Sequence, residues 1–137
     1  MTDNGPYPYV VDIEEATLAN TTFRTTLWTG EHLQMTVMMI PAGEDIGLER
    51  HPETDQFLRV EKGVARVQMG PAKGDLSFDE EVGADWAILV PAGFWHNLTN
   101  VGSGPLQLYS IYAPSEHPHG TIHETKADAE AAEAAED

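Results

Sequence analysis

The amino-acid sequence predicts an all-β protein, built as an antiparallel sandwich or barrel. Apolar and polar residues alternate at every second position over several short segments. Turn signals from Gly, Pro and Asp recur between those segments, and no long amphipathic helix separates them. A chain of 137 residues is long enough for one buried core and too short for two of ordinary size, so one domain is expected.

Taken in order, residues 1–9 carry two prolines and a glycine and read as an extended arm, with Tyr9, Val10, Val11 and Ile13 available to pair with a sheet edge. Asp12 to Asn20 is a short helix candidate. Alternation starts at Phe23, Thr25, Leu27 and Thr29 and resumes at Leu33, Met35, Val37 and Met39. Further strand-like runs lie at Gln56 to Val60, Val64 to Met69, Leu76 to Phe78, Trp86 to Val90 and Leu106 to Tyr112. Turns at Pro41-Ala42-Gly43, Lys62-Gly63, Lys73-Gly74-Asp75 and Pro91-Ala92-Gly93 punctuate them. The run Trp86 to Val90 is wholly apolar, which predicts a strand covered on both faces, its outer one by a partner or by the terminal arms. The last fourteen residues hold six acids against one base and few large apolar groups, so a frayed helix or a flexible acidic C-terminal tail is expected. The resulting division is 1–30 for the N-terminal arm and first strands, 31–114 for the barrel, and 115–137 for the C-terminal loop and tail.

The charges are lopsided, with 23 Asp and Glu against 7 Lys and Arg. Such a surface repels nucleic acid and anionic membranes, and neither is expected as a partner. Abundant carboxylates with only three lysines suit a high-salt medium, and a halophilic source is expected. There is no cysteine, hence no disulfide and no thiolate ligand. The start of the chain is polar and proline-broken, unlike a secretory signal, and a cytoplasmic protein is expected.

The chemistry concentrates in two stretches. On a strand, residues two apart share a face, so Glu49 and His51 point the same way and Arg50 the other. Pro52 breaks that strand, and a turn leads to Gln56. Later, Pro91-Ala92-Gly93 delivers His96, Leu98 and Asn100 onto one face. If the two stretches lie side by side, Glu49, His51, Gln56 and His96 converge on one point. Glu49 has an alternative, an ion pair with Arg59 or Arg66. His117, His119 and His123 fall among Pro114, Pro118 and Gly120, in a loop with no common face, expected to pack over the barrel or an interface. His32 is expected in the turn after Gly30. There is no G-x-S-x-G elbow and no phosphate-cradling glycine loop.

These residues resemble the motifs of the small single-domain cupins over residues 33 to 112. Pro91, Gly93, His96 and Asn100 match the second cupin motif, although Gly83 stands further from Pro91 than the family pattern has it. Gly43, His51 and Gly63 match the first, with Glu49 in place of its first histidine and Gln56 in place of its glutamate. The resemblance implies a cupin double-stranded β-helix, or jelly-roll, barrel, commonly a homodimer, with a divalent metal bound inside by motif residues. The substitutions move the carboxylate from position 56 to position 49. They leave His51, Gln56 and His96 as metal ligands, with Glu49 as a fourth ligand or as the catalytic base. Two histidines and a carboxylate suit Fe(II), and Mn, Zn, Ni or Cu can use the same donors. The expected function is a metal-dependent enzyme on a small organic substrate, with oxygenase or sugar-isomerase-like chemistry. The alternative is a non-catalytic ligand-binding or structural barrel. Few cations lie near the motifs, Arg50, Arg59 and Arg66 being the nearby arginines, which counts against phosphorylated substrates.

Overall fold

The alternating segments pair into two antiparallel sheets in the computed structural model, which describes residues 2–136. A short helix α1 (Ile13–Ala19) precedes strands β1 (Arg24–Thr29), β2 (Gln34–Ile40), β3 (Glu49–Arg50), β4 (Asp55–Lys62), β5 (Ala65–Gly70), β6 (Phe78–Val82), β7 (Ala87–Val90), β8 (Trp95–Asn100), β9 (Leu106–Ala113) and β10 (Ile122–His123). A second helix, α2 (Lys126–Glu136), ends the chain. One sheet has the order β10-β1-β2-β9-β4-β7 and the other β3-β8-β5-β6. No helix of the described residues is long and apolar enough to cross a membrane.

Register divides the interior into two ends. Partners across an antiparallel pair point to the same side of the sheet, so the interior can be followed row by row. Ile40 faces Leu106, and Met38, Leu108 and Val60 form the next row. These join Leu98, Ala65 and Val67 of the second sheet in one buried apolar cluster. At the opposite end the row is Gln34, Tyr112 and Gln56, and on the facing sheet Glu49 opposes His96. The barrel therefore has an apolar end and a polar end.

The motif asparagine belongs to the scaffold of the apolar end. Asn100 is buried, donates to the carbonyls of Ile40 (2.8 Å) and Gly104 (2.9 Å), and accepts from the Gly102 amide. Gly63 is required sterically: its φ is +104°, and a Cβ there would lie 2.9 Å from Leu106 Cα.

Four expectations change. The N-terminal arm is fastened by Asp3 rather than by Tyr9 to Ile13, because its carboxylate collects four donors: the Gly5 amide, the Thr29 amide and hydroxyl, and the Gly120 amide. Ile13 instead opens α1, capped by Asp12, which accepts from the Glu15 amide. The strand anticipated at Leu76 to Phe78 forms at Phe78–Val82, where three exposed acids stand opposite residues of β5. The acidic tail is helical and docked. Thr125 and Asp128 cap α2 reciprocally, Lys126 pairs with Asp45, and Ala129 is small enough to enter the core. In the single chain Leu89 on the outer face of β7 is 68% exposed, and Trp86, which precedes the strand, is 60% exposed.

Candidate metal centre

The site is assembled where the polar ends of the two sheets meet. β3 is only two residues long because Gly47 precedes it and Pro52 follows. Arg50 turns outward, its Nε donating to the Gly93 carbonyl. The Gly93 amide in turn donates to the His51 carbonyl, and the Ala92 amide to Asp55 Oδ1, so the turns of both histidine-bearing stretches are tied together. His51 and His96 are consequently brought to a ring separation of 5.2 Å, with Glu49 between them.

Glu49 Oε1 lies 3.4 Å from His51 Nε2 and 3.5 Å from His96 Nε2. The three ligand atoms all fall within 4.8 Å of one another. The opposite side of each imidazole is already engaged: His51 Nδ1 faces Glu116 Oε1 at 3.0 Å, and His96 Nδ1 faces the Phe94 carbonyl at 3.3 Å. Both rings thus present Nε2 to the same point, and neither Nε2 nor Glu49 Oε1 has a hydrogen-bond partner. Buried polar atoms without partners cost free energy, and three of them facing one another fit a cation. Two donors about 2.1 Å from one ion at a tetrahedral angle stand about 3.4 Å apart, close to the separation of Glu49 Oε1 from each histidine Nε2.

Gln56 projects from β4 into the same end of the barrel. Its Nε2 donates to Ser110 Oγ at 2.8 Å, which leaves Oε1 buried and without a partner. Glu49 makes no ion pair with Arg59 or Arg66: Arg59 pairs with Glu61 and Asp85, and Arg66 with Asp79.

Electrostatics keep the carboxylate ionised. Burial alone would raise the Glu49 pKa, but the nearby Nε2 groups of His51 and His96 and the charges of His51 and Arg24 outweigh it and hold the group well below the usual carboxylate range. Burial pulls the His51 pKa down, yet the Glu116 carboxylate on its Nδ1 and the neighbouring charge of Glu49 push it up to about 9. An ion arriving on Nε2 displaces that proton.

A cavity of about 620 Å³ opens from the centre, walled by Glu49, His51, Glu116, His117, His123 and, from α2, Ala132. Three contributors were not anticipated. Glu116 holds His51 and is itself bound by the Thr54 hydroxyl at 3.1 Å. His117 packs edge-on against Tyr112, and burial followed by the charge of Arg24 pushes its pKa down to about 3. Arg24 is 1% exposed inside the barrel, whereas Arg59 and Arg66 are surface groups and Arg50 stands at the cavity mouth. The loop does pack over the barrel, where Gln34 Oε1 accepts from the amides of Glu116 and His117. His119 serves the arm through the Gly5 carbonyl, and His32 is exposed beside Glu31. The histidine-rich spelling of residues 117–123 was the available signal, but nothing periodic linked it to His51.

Comparison with known proteins accords with this geometry. The family profile described as Cupin domain matches residues 36–112. The chain is 60% identical over 133 residues to the uncharacterized protein YrkC of Bacillus subtilis, covering 97% of this chain and 72% of that protein. It is 38% identical over 123 residues to an uncharacterized protein of Acanthamoeba polyphaga mimivirus, covering 89% of this chain and 75% of the relative. A crystal structure from Bacillus halodurans, 62% identical, superposes with a TM-score of 0.95 over 96% of this chain and 99% of that one. Because the profile runs from β2 through β9, spanning both sheets and all three converging ligand atoms, the chain belongs to the cupin domain family and its barrel is the jelly roll of that family.

Proposed function

We infer that the protein is a metal-dependent cupin enzyme acting on a small organic molecule. One observation carries the reading: buried ligand atoms of Glu49, His51 and His96 face one another without partners, while the far nitrogen of each imidazole is already occupied. A carboxylate behind a ligand histidine fixes its tautomer and raises its basicity, and Glu116 stands in that place behind His51. In this reading Gln56 supplies a neutral fourth oxygen through Oε1. Glu49 suits the part of a ligand better than that of a base, since a carboxylate held so far below its ordinary range is a weak proton acceptor. A divalent ion here would act as a Lewis acid on a substrate oxygen or bring O2 beside it, the chemistries of isomerase-like and oxygenase reactions. The chain's own part is to orient the donors, to hold Glu49 ionised, and to screen the cavity from water with α2 and the loop of residues 115–121.

The test is metal analysis of untagged protein beside His51→Ala and His96→Ala. Near-stoichiometric metal in the parent protein and little in either variant supports the reading. Substoichiometric metal in all three, even after reloading with Fe(II), Mn(II) or Zn(II), defeats it. A Glu49→Gln variant that keeps full metal affinity removes Glu49 from the ligand set.

Two further properties belong to this reading. The exposed Leu89 on the edge strand β7 and the exposed Trp86 just before it favour a homodimer closed over this edge, and a one-chain mass in light scattering would rule it out. The excess of 23 acids over 7 bases favours adaptation to high salt, and a melting temperature that does not rise with KCl would count against it.

A further inference from the structure

Arg24 is the most unusual charge in the molecule. It is almost wholly buried, and a buried guanidinium is costly unless a carboxylate compensates it. Among the described residues none forms an ion pair with it. Its Nη1 lies 3.2 Å from His123 Nδ1, and its Nε has no partner. By register it is opposite Met38 and His123, hence on the interior side of β1. Its charge reaches Glu49, Tyr112 and His117. Between Arg24 and the open cavity stand His123 and His117, and His117 Nε2 is a second buried polar atom without a partner.

The charge balance of the cavity follows. In the metal-free chain the carboxylate of Glu49 offsets Arg24. With a divalent ion on the triad and neutral imidazoles, the ion and Arg24 together outweigh the carboxylates of Glu49 and Glu116 by one positive charge. Arg50 and Glu133 at the mouth contribute one charge of each sign. A cavity with one surplus positive charge favours an anion, and its volume of about 620 Å³ suits a small organic molecule.

We propose that the pocket selects a small carboxylate, which places an oxygen on the metal, accepts a hydrogen bond from His117 Nε2, and is favoured over uncharged analogues by the buried charge of Arg24. This rests on metal binding at Glu49, His51 and His96. His117 is the contact residue. Arg24 acts through the wall that His117 and His123 make, so its signature is discrimination by charge.

The experiment is calorimetric titration of Mn(II)-loaded full-length protein with pyruvate and with butane-2,3-dione, its uncharged isostere, with metal content measured on each sample. Pyruvate should bind at least about ten-fold more tightly. Arg24→Met should lose most of that preference at unchanged metal content, Arg24→Lys should keep most of it, and His117→Leu should weaken pyruvate binding. Equal affinity for the two ligands in the parent protein overturns the proposal, as does a preference undiminished in both Arg24→Met and His117→Leu. Should Arg24→Met fail to fold, the parent comparison and His117→Leu decide the matter. Protein that takes up no metal sinks the metalloenzyme reading and this one with it. Metal bound without carboxylate preference sinks this one alone.

Discussion

Leu58 and Gln56 stand two residues apart on the inner face of one strand, and they belong to different halves of the barrel. Around Leu58 the interior is closed with apolar side chains from both sheets, and even the motif asparagine there is spent on carbonyls of the scaffold. Around Gln56 the interior keeps unpartnered nitrogens and oxygens, and it is enclosed by terminal segments held through charged and polar contacts. The contrast shows a division of labour along a single β-ladder: one end supplies the burial that folds the chain, and that surplus tolerates the unpaired polar atoms of the other.

The sharpest way to break the comparison is to change those two positions. Leu58→Ala should cost about 2–5 kcal/mol in urea unfolding through loss of transfer energy and creation of a cavity, with metal bound per folded molecule unchanged. Gln56→Leu should cost no more than about 1 kcal/mol, since it removes an unpartnered amide oxygen at similar volume although it strands the Ser110 hydroxyl. It should weaken metal affinity if Oε1 is a ligand. Equal stability losses at the two positions would abolish the distinction between the ends.

Glu116→Gln comes next. Loss of the carboxylate behind His51 should lower metal affinity by about 10–100-fold with little change in unfolding free energy, because it alters ligand orientation at the polar end alone. Metal titration against a competing chelator reads the affinity.

Acid should loosen the polar end selectively. Burial would raise the Asp3 pKa, but hydrogen bonds from Thr29, Gly120 and Gly5 hold it down, from 3.8 to about 2. Because the folded-state value is the depressed one, its contribution is complete above about pH 4 and is lost as the pH falls toward 2; the shift corresponds to about 2 kcal/mol. Amide hydrogen exchange should therefore show the arm and residues 115–121 losing protection before β4 and β9, and Asp3→Asn should remove that part of the acid dependence.

The smallest effect is expected at Lys126. Its pair with Asp45 is partly exposed, so Lys126→Ala should cost less than about 1 kcal/mol, while amide exchange in α2 quickens and the barrel core is unaffected.

Much of the architecture was legible without coordinates, for reasons that are local. Parity on a strand depends only on the backbone, so Glu49 with His51, and His96 with Asn100, could be assigned to shared faces. Glycines at positive φ, such as Gly63 and Gly93, announced their turns. Burial was less legible: Trp86 to Val90 read as a strand whose outer face is covered by a partner or by the terminal arms, and in the single chain the arms leave Leu89 exposed. The tail read as frayed because composition does not reveal a capping pair or a lysine that finds Asp45.

What the sequence by itself determined is the pattern of short alternating strands, the family, and three donors that the fold brings together, Glu49, His51 and His96. The tertiary structure alone decided what surrounds them: Glu116 behind His51, His117 on the cavity wall, Arg24 buried beneath it, and α2 over the mouth. Parity states which residues share a face of one strand, but register and loop path decide which strands meet, and these contacts join positions far apart in the chain through segments that have no period to read.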